Sequence, residues 1–135
     1  MTSDVAAFGF VDAAMKASEL RQQVYANNIA NIDTPGYKRQ DVNFESILQQ
    51  TLSNAGVSAQ GTGAVANSST PAIWQALANV QPQIVTDTST TVNNNGNNVD
   101  ANAEMAKLAE NQLRYNGLVQ DLQLRLHRMQ AAISG

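Results

Sequence analysis

Apolar residues recur at alternating spacings of three and four at both ends of this chain and lose that rhythm in between. Near the N-terminus the series runs Phe8, Val11, Met15, Ser18, Gln22, Tyr25, Ile29, Ile32, with six of eight positions apolar. Such spacing marks one face of an α-helix. Ala13, Ala17, Leu20 and Val24 widen that face. Neither Pro nor Gly falls between Phe10 and Thr34. Pro35 then pushes Thr34 out of helical geometry. The pattern predicts a helix over about residues 4–31, capped by Thr2, Ser3 or Asp4. Pro35-Gly36 after it predicts a type II turn.

The C-terminal seam is more regular. Met105, Leu108, Gln112, Tyr115, Val119, Leu122, Leu126, Met129 and Ile133 follow strict 3-4 spacing, and eight of the nine are apolar. Asn95-Gly96 reads as a turn and Asp100 as an N-cap. Glu104 falls in the first turn, facing the positive end of the helix dipole, and Arg125, His127 and Arg128 fall in the last turns. The prediction is a helix over about residues 101–133. Two such seams at opposite ends of a chain predict an antiparallel coiled-coil pair.

Between them the signal weakens. Residues 43–52 read as a short capped helix and 53–70 as flexible loop. Residues 71–80 read as a helical turn with Thr70 as cap and Pro71 at its first position. Gln83 to Val92, rich in Thr and Val, reads as extended. From Ser46 to Val99 the only charged side chain is Asp87. So polar a segment buries little apolar surface, and loops with short ordered pieces are expected rather than a second core. The fold class is mainly α, divided as 1–34 helix, 35–99 turn, short helix and loop-rich middle, and 100–135 helix.

Composition adds that the pair alone is marginal. The 135 residues are only 14% charged and 5% aromatic. Ala13, Ala17, Leu20 and Val24 on one helix, and Leu113, Leu118 and Leu124 on the other, have no evident partner within the chain. They are expected to pack against other subunits, the helices becoming ordered on assembly.

Several functions drop out. There is no cysteine, hence no disulfide frame, thiolate metal site or cysteine nucleophile. A net charge of −3 argues against a nucleic-acid partner. No apolar run approaches the roughly 20 residues of a membrane span. The first residues lack the basic and apolar regions of a cleaved signal, so any export is expected to use another route. The lone His127 sits among arginines on a helix and no carboxylate pair stands out, so neither catalysis nor a cofactor is expected. Gly61-Thr62-Gly63 lacks the rest of a phosphate loop. The C-terminal helix is amphipathic, but Glu104, Glu110 and Asp121 on its polar side disfavour anionic lipid.

One segment is distinctive: Ala26-Asn27-Asn28-Ile29-Ala30-Asn31-Ile32-Asp33-Thr34-Pro35-Gly36-Tyr37-Lys38. Asparagines at a helix end find backbone partners, and the turn redirects the chain. The segment resembles the signature of the flagellar rod and hook axial proteins, carried here by Asn27, Asn28, Ile29, Ala30, Asn31, Thr34, Pro35, Gly36, Tyr37 and Lys38. Residues 1–52 resemble that family's N-terminal half. Residues 96–135, from Gly96-Asn97-Asn98-Val99-Asp100 onward, resemble its C-terminal half. The length leaves no room for the inserted domains of hook and distal-rod members. That points to the two short proximal-rod types, and Val99 to Met105 with Leu108 to Asn111 and Tyr115 resembles one of them more than the other.

The resemblance implies a structural, non-enzymatic subunit of the bacterial flagellar basal body, in the periplasmic rod, exported by the type III route without a cleaved signal. It implies head-to-tail assembly into a torque-transmitting helical tube. The implied partners are copies of itself, other rod subunits, and basal-body adaptor, membrane-ring and export-gate proteins. Phe8, Val11, Met15, Tyr25, Ile29, Ile32, Met105, Leu108, Tyr115, Val119, Leu122, Leu126, Met129 and Ile133 are the expected subunit-packing residues, lining the inner wall, with the turn after Ile32 further out. The rival is a coiled-coil adaptor or substrate of a type III system, which the thirteen-residue string disfavours.

Overall fold

The structure, a computed structural model, describes residues 2–54, 71–88 and 94–135. The elements are α1 (Thr2–Ala30), β1 (Gln40–Asn43), α2 (Glu45–Asn54), α3 (Pro71–Ala78), β2 (Gln83–Thr86) and α4 (Ala101–Ser134). The chain is mainly helical, and α1 and α4 pair antiparallel, Asn28 meeting Glu104 and Ser18 meeting Asn111.

Both long helices form where the apolar rhythm places them. Thr2, Ser3 and Asp4 lie inside α1 rather than before it. After Ala30 the backbone tightens: Ile32 N–H donates to the Ile29 carbonyl and Thr34 N–H to that of Asn31. Tyr37 N–H then reaches the Thr34 carbonyl at 3.2 Å, with Gly36 at φ +72. Those are the marks of a type II turn, in which only glycine takes the third position without strain. At α4, the Asp100 carboxylate accepts from the Asn102 and Ala103 N–H groups, the cap its sequence position called for.

The middle is more ordered than its composition led one to expect. β1 has no counterpart in the pattern analysis, yet it pairs antiparallel with β2, Val42 opposite Ile84. β2 ends at Thr86, short of the expected extent; residues 89–92 of that expectation lie outside the described residues, as do 55–70 and the Thr70 cap. α2 begins at Glu45 and reaches Asn54, so Ser53 and Asn54 are helical and not loop. Pro71 opens α3 as expected.

The core lies along α1. Ala13 and Ala17 pack against Phe44 and Val80, with Ala14, Ile47 and Leu48 around them. Val24 and Tyr25 pack against Val42, with Leu20 and Leu108. This corrects the expectation that Ala13, Ala17, Leu20 and Val24 lack partners within the chain. Small side chains let Phe44 and Val80, two residues past α3, approach closely, and β1 covers the rest. The middle segment is therefore the second wall of the core. Leu113 and Leu124, in contrast, are 72% and 58% exposed.

Candidate assembly site

The end of α1, the turn after it, β1 and the start of α4 converge on a buried polar cluster. Its centre is Asn28, fully buried. The Asn28 side chain donates to the Gln40 carbonyl at 2.7 Å and to Glu104 Oε2 at 3.0 Å. Its oxygen accepts from Gln40 N–H at 2.9 Å and from the Tyr37 hydroxyl at 3.1 Å. All four hydrogen-bonding positions of the amide are filled. By bonding both backbone groups of Gln40, Asn28 occupies the edge of β1 as a neighbouring strand would. Tyr37 in turn accepts from Asn27 at 3.0 Å.

Glu104, 1% exposed, gives its other oxygen to Arg39 Nε at 2.5 Å. Arg39 also bonds Asp41 at 3.0 Å and faces Asp87 at 3.7 Å. Burial draws the Arg39 pKa down, but its bonds to Glu104 and Asp41 outweigh that and raise it, so the guanidinium stays charged. Burial pushes Asp41 up, yet the Val42 N–H, Arg39 and the Tyr25 hydroxyl hold it below the ordinary aspartate value. Tyr25 is pushed up to about 12 by burial and by the neighbouring Asp41 charge.

A second pair of asparagines closes the cluster. Asn97, fully buried, donates to the carbonyls of Asn31, Ile32 and Thr34 at 2.8–3.0 Å. It thereby caps the C-terminal end of α1 from the far side of the sequence. Asn98 accepts from Arg39 N–H at 2.6 Å and donates to the Asp87 carbonyl at 2.7 Å. Gly36 N–H meets the Asn95 carbonyl at 3.0 Å, and Lys38 Nζ meets that of Gly96 at 2.6 Å.

Next to the cluster runs a charged groove of about 410 Å³ between α1, β1 and α4. Arg21 pairs with Glu45, Lys107 lies 3.6 Å from Asp41, and Arg114 bonds Glu110 at 2.8 Å. Glu45 is held below its ordinary value: burial pushes it up, but Arg21 more than compensates. The groove balances three cations against three carboxylates. Among the described residues no cluster of three or more metal-ligating side chains is found.

The expected packing residues fall into three groups. Val11 and Tyr25 are buried; Phe8, Met15, Ile29, Ile32, Leu108, Tyr115, Val119, Leu122 and Met129 are half-buried; Met105, Leu126 and Ile133 are exposed. Within the chain, α4 buries Glu104 and Asn111, while the seam positions Met105 and Gln112 beside them stay exposed. Of the motif, Asn28 is buried, while Asn27, Ala30, Thr34, Pro35 and Gly36 are exposed. Arg39, Asn97, Asn98 and Asn111 do not stand out in the hydropathy pattern, and Glu104 stands out there only by its place at the helix dipole. The signal for Asn97 and Asn98 was an Asn-Asn pair one residue removed from the Asp100 helix cap.

A family model described as flagella basal body rod protein matches residues 13–38, from the core alanines of α1 through the turn. The flagellar basal body rod protein FlgB of Bacillus subtilis (strain 168) is 33% identical over 93% of this chain and 91% of its own length. The chain belongs to the flagellar basal body rod protein family. A second FlgB rod protein, from Borreliella burgdorferi, is 38% identical over 72% of this chain and 73% of its own. A third, from Salmonella typhimurium (strain LT2), is 31% identical over 82% and 80%. Membership of the rod family makes the chain a structural subunit of the basal-body rod, acting in motility with other flagellar components. The matched window contains Asn28 and Tyr37 of the polar cluster and ends one residue before Arg39.

Proposed function

We propose that this chain is a proximal-rod subunit of the FlgB kind, assembling head-to-tail into a helical tube that transmits torque across the periplasm. The observation that carries the reading is the alignment of FlgB rod proteins along most of both chains. The surface supports it: Met105, Leu113, Leu124, Leu126 and Ile133 expose large apolar side chains along one long helix. Large apolar side chains exposed on a stiff element support contact with other chains. Heterologous contacts that repeat without closing build an open filament. In this reading the helices of 1–34 and 100–135 form the assembling unit, with the seam residues facing neighbouring subunits and the inner wall. The loop and turn after Ile32 lie further out against neighbouring subunits, and the subunit also contacts adaptor, ring and export-gate proteins. Export proceeds without a cleaved signal, and the subunit has no catalytic role.

The test is a clean deletion of the gene, scored for swimming and for rods in isolated basal bodies. Loss of both, restored by complementation, is expected. Intact rods with normal swimming would refute the assignment and leave a type III adaptor as the working alternative.

A further inference from the structure

The apolar seam does not decide how far α4 slides along α1. Leu108, Tyr115, Leu122 and Met129 repeat every seven residues. A slip of one heptad, about 10 Å along the axis, again sets apolar side chains against the partner helix. The polar contacts break this degeneracy. Glu104 reaches both Asn28 and Arg39, and each of those is itself anchored: Asn28 on Gln40 and Tyr37, Arg39 on Asp41. The same slip carries the carboxylate about 10 Å from its guanidinium and strands two groups that need each other.

We propose that Glu104, with Asn28 and Arg39, is the register lock of the helical pair: it selects one alignment of α4 on α1. A polar group at one seam position is best attested in that role, and it acts by excluding alternatives rather than by adding stability. Asn111 points the same way. Its nitrogen donates to the Ser18 carbonyl at 2.8 Å, while its oxygen is buried with no partner among the described residues. An unpaired buried acceptor costs stability, and the Ser18 contact gives a second fixed point seven residues along α4. The lock matters for any assembly built on this pair, because a slipped heptad would displace one helical surface against the other. The inference depends on the pairing of α1 and α4 and not on the rod assignment.

The absence of cysteine lets introduced pairs report cleanly. Gln22 and Gln112 line one groove between the helices. Gln22→Cys/Gln112→Cys reports the native alignment. Gln22→Cys/Met105→Cys and Gln22→Cys/Val119→Cys report slips of one heptad in each direction. Each purified full-length chain is treated with a short bifunctional thiol reagent, and intramolecular crosslinking is followed on gels. In the native background the first pair is expected to react roughly tenfold faster than the others, since about 10 Å exceeds the reagent's reach. Adding Asn28→Leu/Glu104→Leu is expected to preserve helical circular dichroism and bring a slipped pair to a comparable rate. Glu104→Gln, which keeps the shape but not the charge, should fall between. Unchanged selectivity in the leucine variant overturns the lock. So does loss of its helix with all three pairs reacting alike, since the cluster then holds the fold and not the register. So does a native background with no preference.

Discussion

At the scale of single residues, Asn97 shows how much of this fold rests on amides. Its two N–H hydrogens are shared among three carbonyls just past α1, of which those of Asn31 and Thr34 also accept from backbone N–H groups of the turn. Asn97→Ala removes the donor and leaves those acceptors facing a methyl group. An expected loss of about 2–3 kcal/mol would appear as a lower urea midpoint with unchanged slope. Asp41 contributes to the response to acid, as Glu45 does. Its folded-state pKa is depressed, so its contribution is complete above the ordinary aspartate value and lost as pH falls through the depressed one. Urea midpoints measured from neutral pH downward should hold to about pH 5 and then decline. Asp41→Asn should flatten that decline. Little of this was legible in the sequence. An asparagine reads the same whether it faces water or three carbonyls, and only the return of residues 95–98 to the end of α1 distinguishes the two.

At the scale of elements, periodicity located α1 and α4 to within two residues because one face of each repeats for many turns. It misplaced the inward face of α4 at two points. Glu104 and Asn111 are polar, and a hydropathy pattern sends polar residues outward; the partners that make them inward-facing lie 65 to 93 positions away. β1 was invisible for a related reason: Gln40-Asp41-Val42-Asn43 holds one apolar residue, and its edge is closed by a side chain of α1. The helical glycines differ in the same way. A Cβ at Gly9 would sit 2.7 Å from the Ala78 side chain, whereas one at Gly117 meets nothing within 4 Å. Gly9→Leu should therefore force α1 and α3 apart and cost about 1–3 kcal/mol. Gly117→Ala should add up to about 1 kcal/mol through helix propensity. Urea unfolding of the two variants checks the opposite signs.

At the scale of the whole molecule, the paired helices and the rod family define what a surface change should do. Ile29 and Leu122 are half-buried on α1 and α4. Ile29→Asp or Leu122→Asp places a charge in a packed seam, with a cost of about 3–5 kcal/mol where no partner is supplied. Either variant is expected to stay soluble and to abolish swimming in soft agar; normal swimming would remove that residue from the seam. The antiparallel course of the two helices has a mechanical consequence. Both chain ends lie at the end of the pair away from the polar cluster. Tension applied to the two termini would peel the helices apart, opening contacts one after another until it reached the Asn28–Glu104 join. A load carried lengthwise, from the cluster at one end to both termini at the other, would instead be shared by the two helices side by side and would not part them. One and the same pair is thus weak when drawn open by its strands and strong along its length.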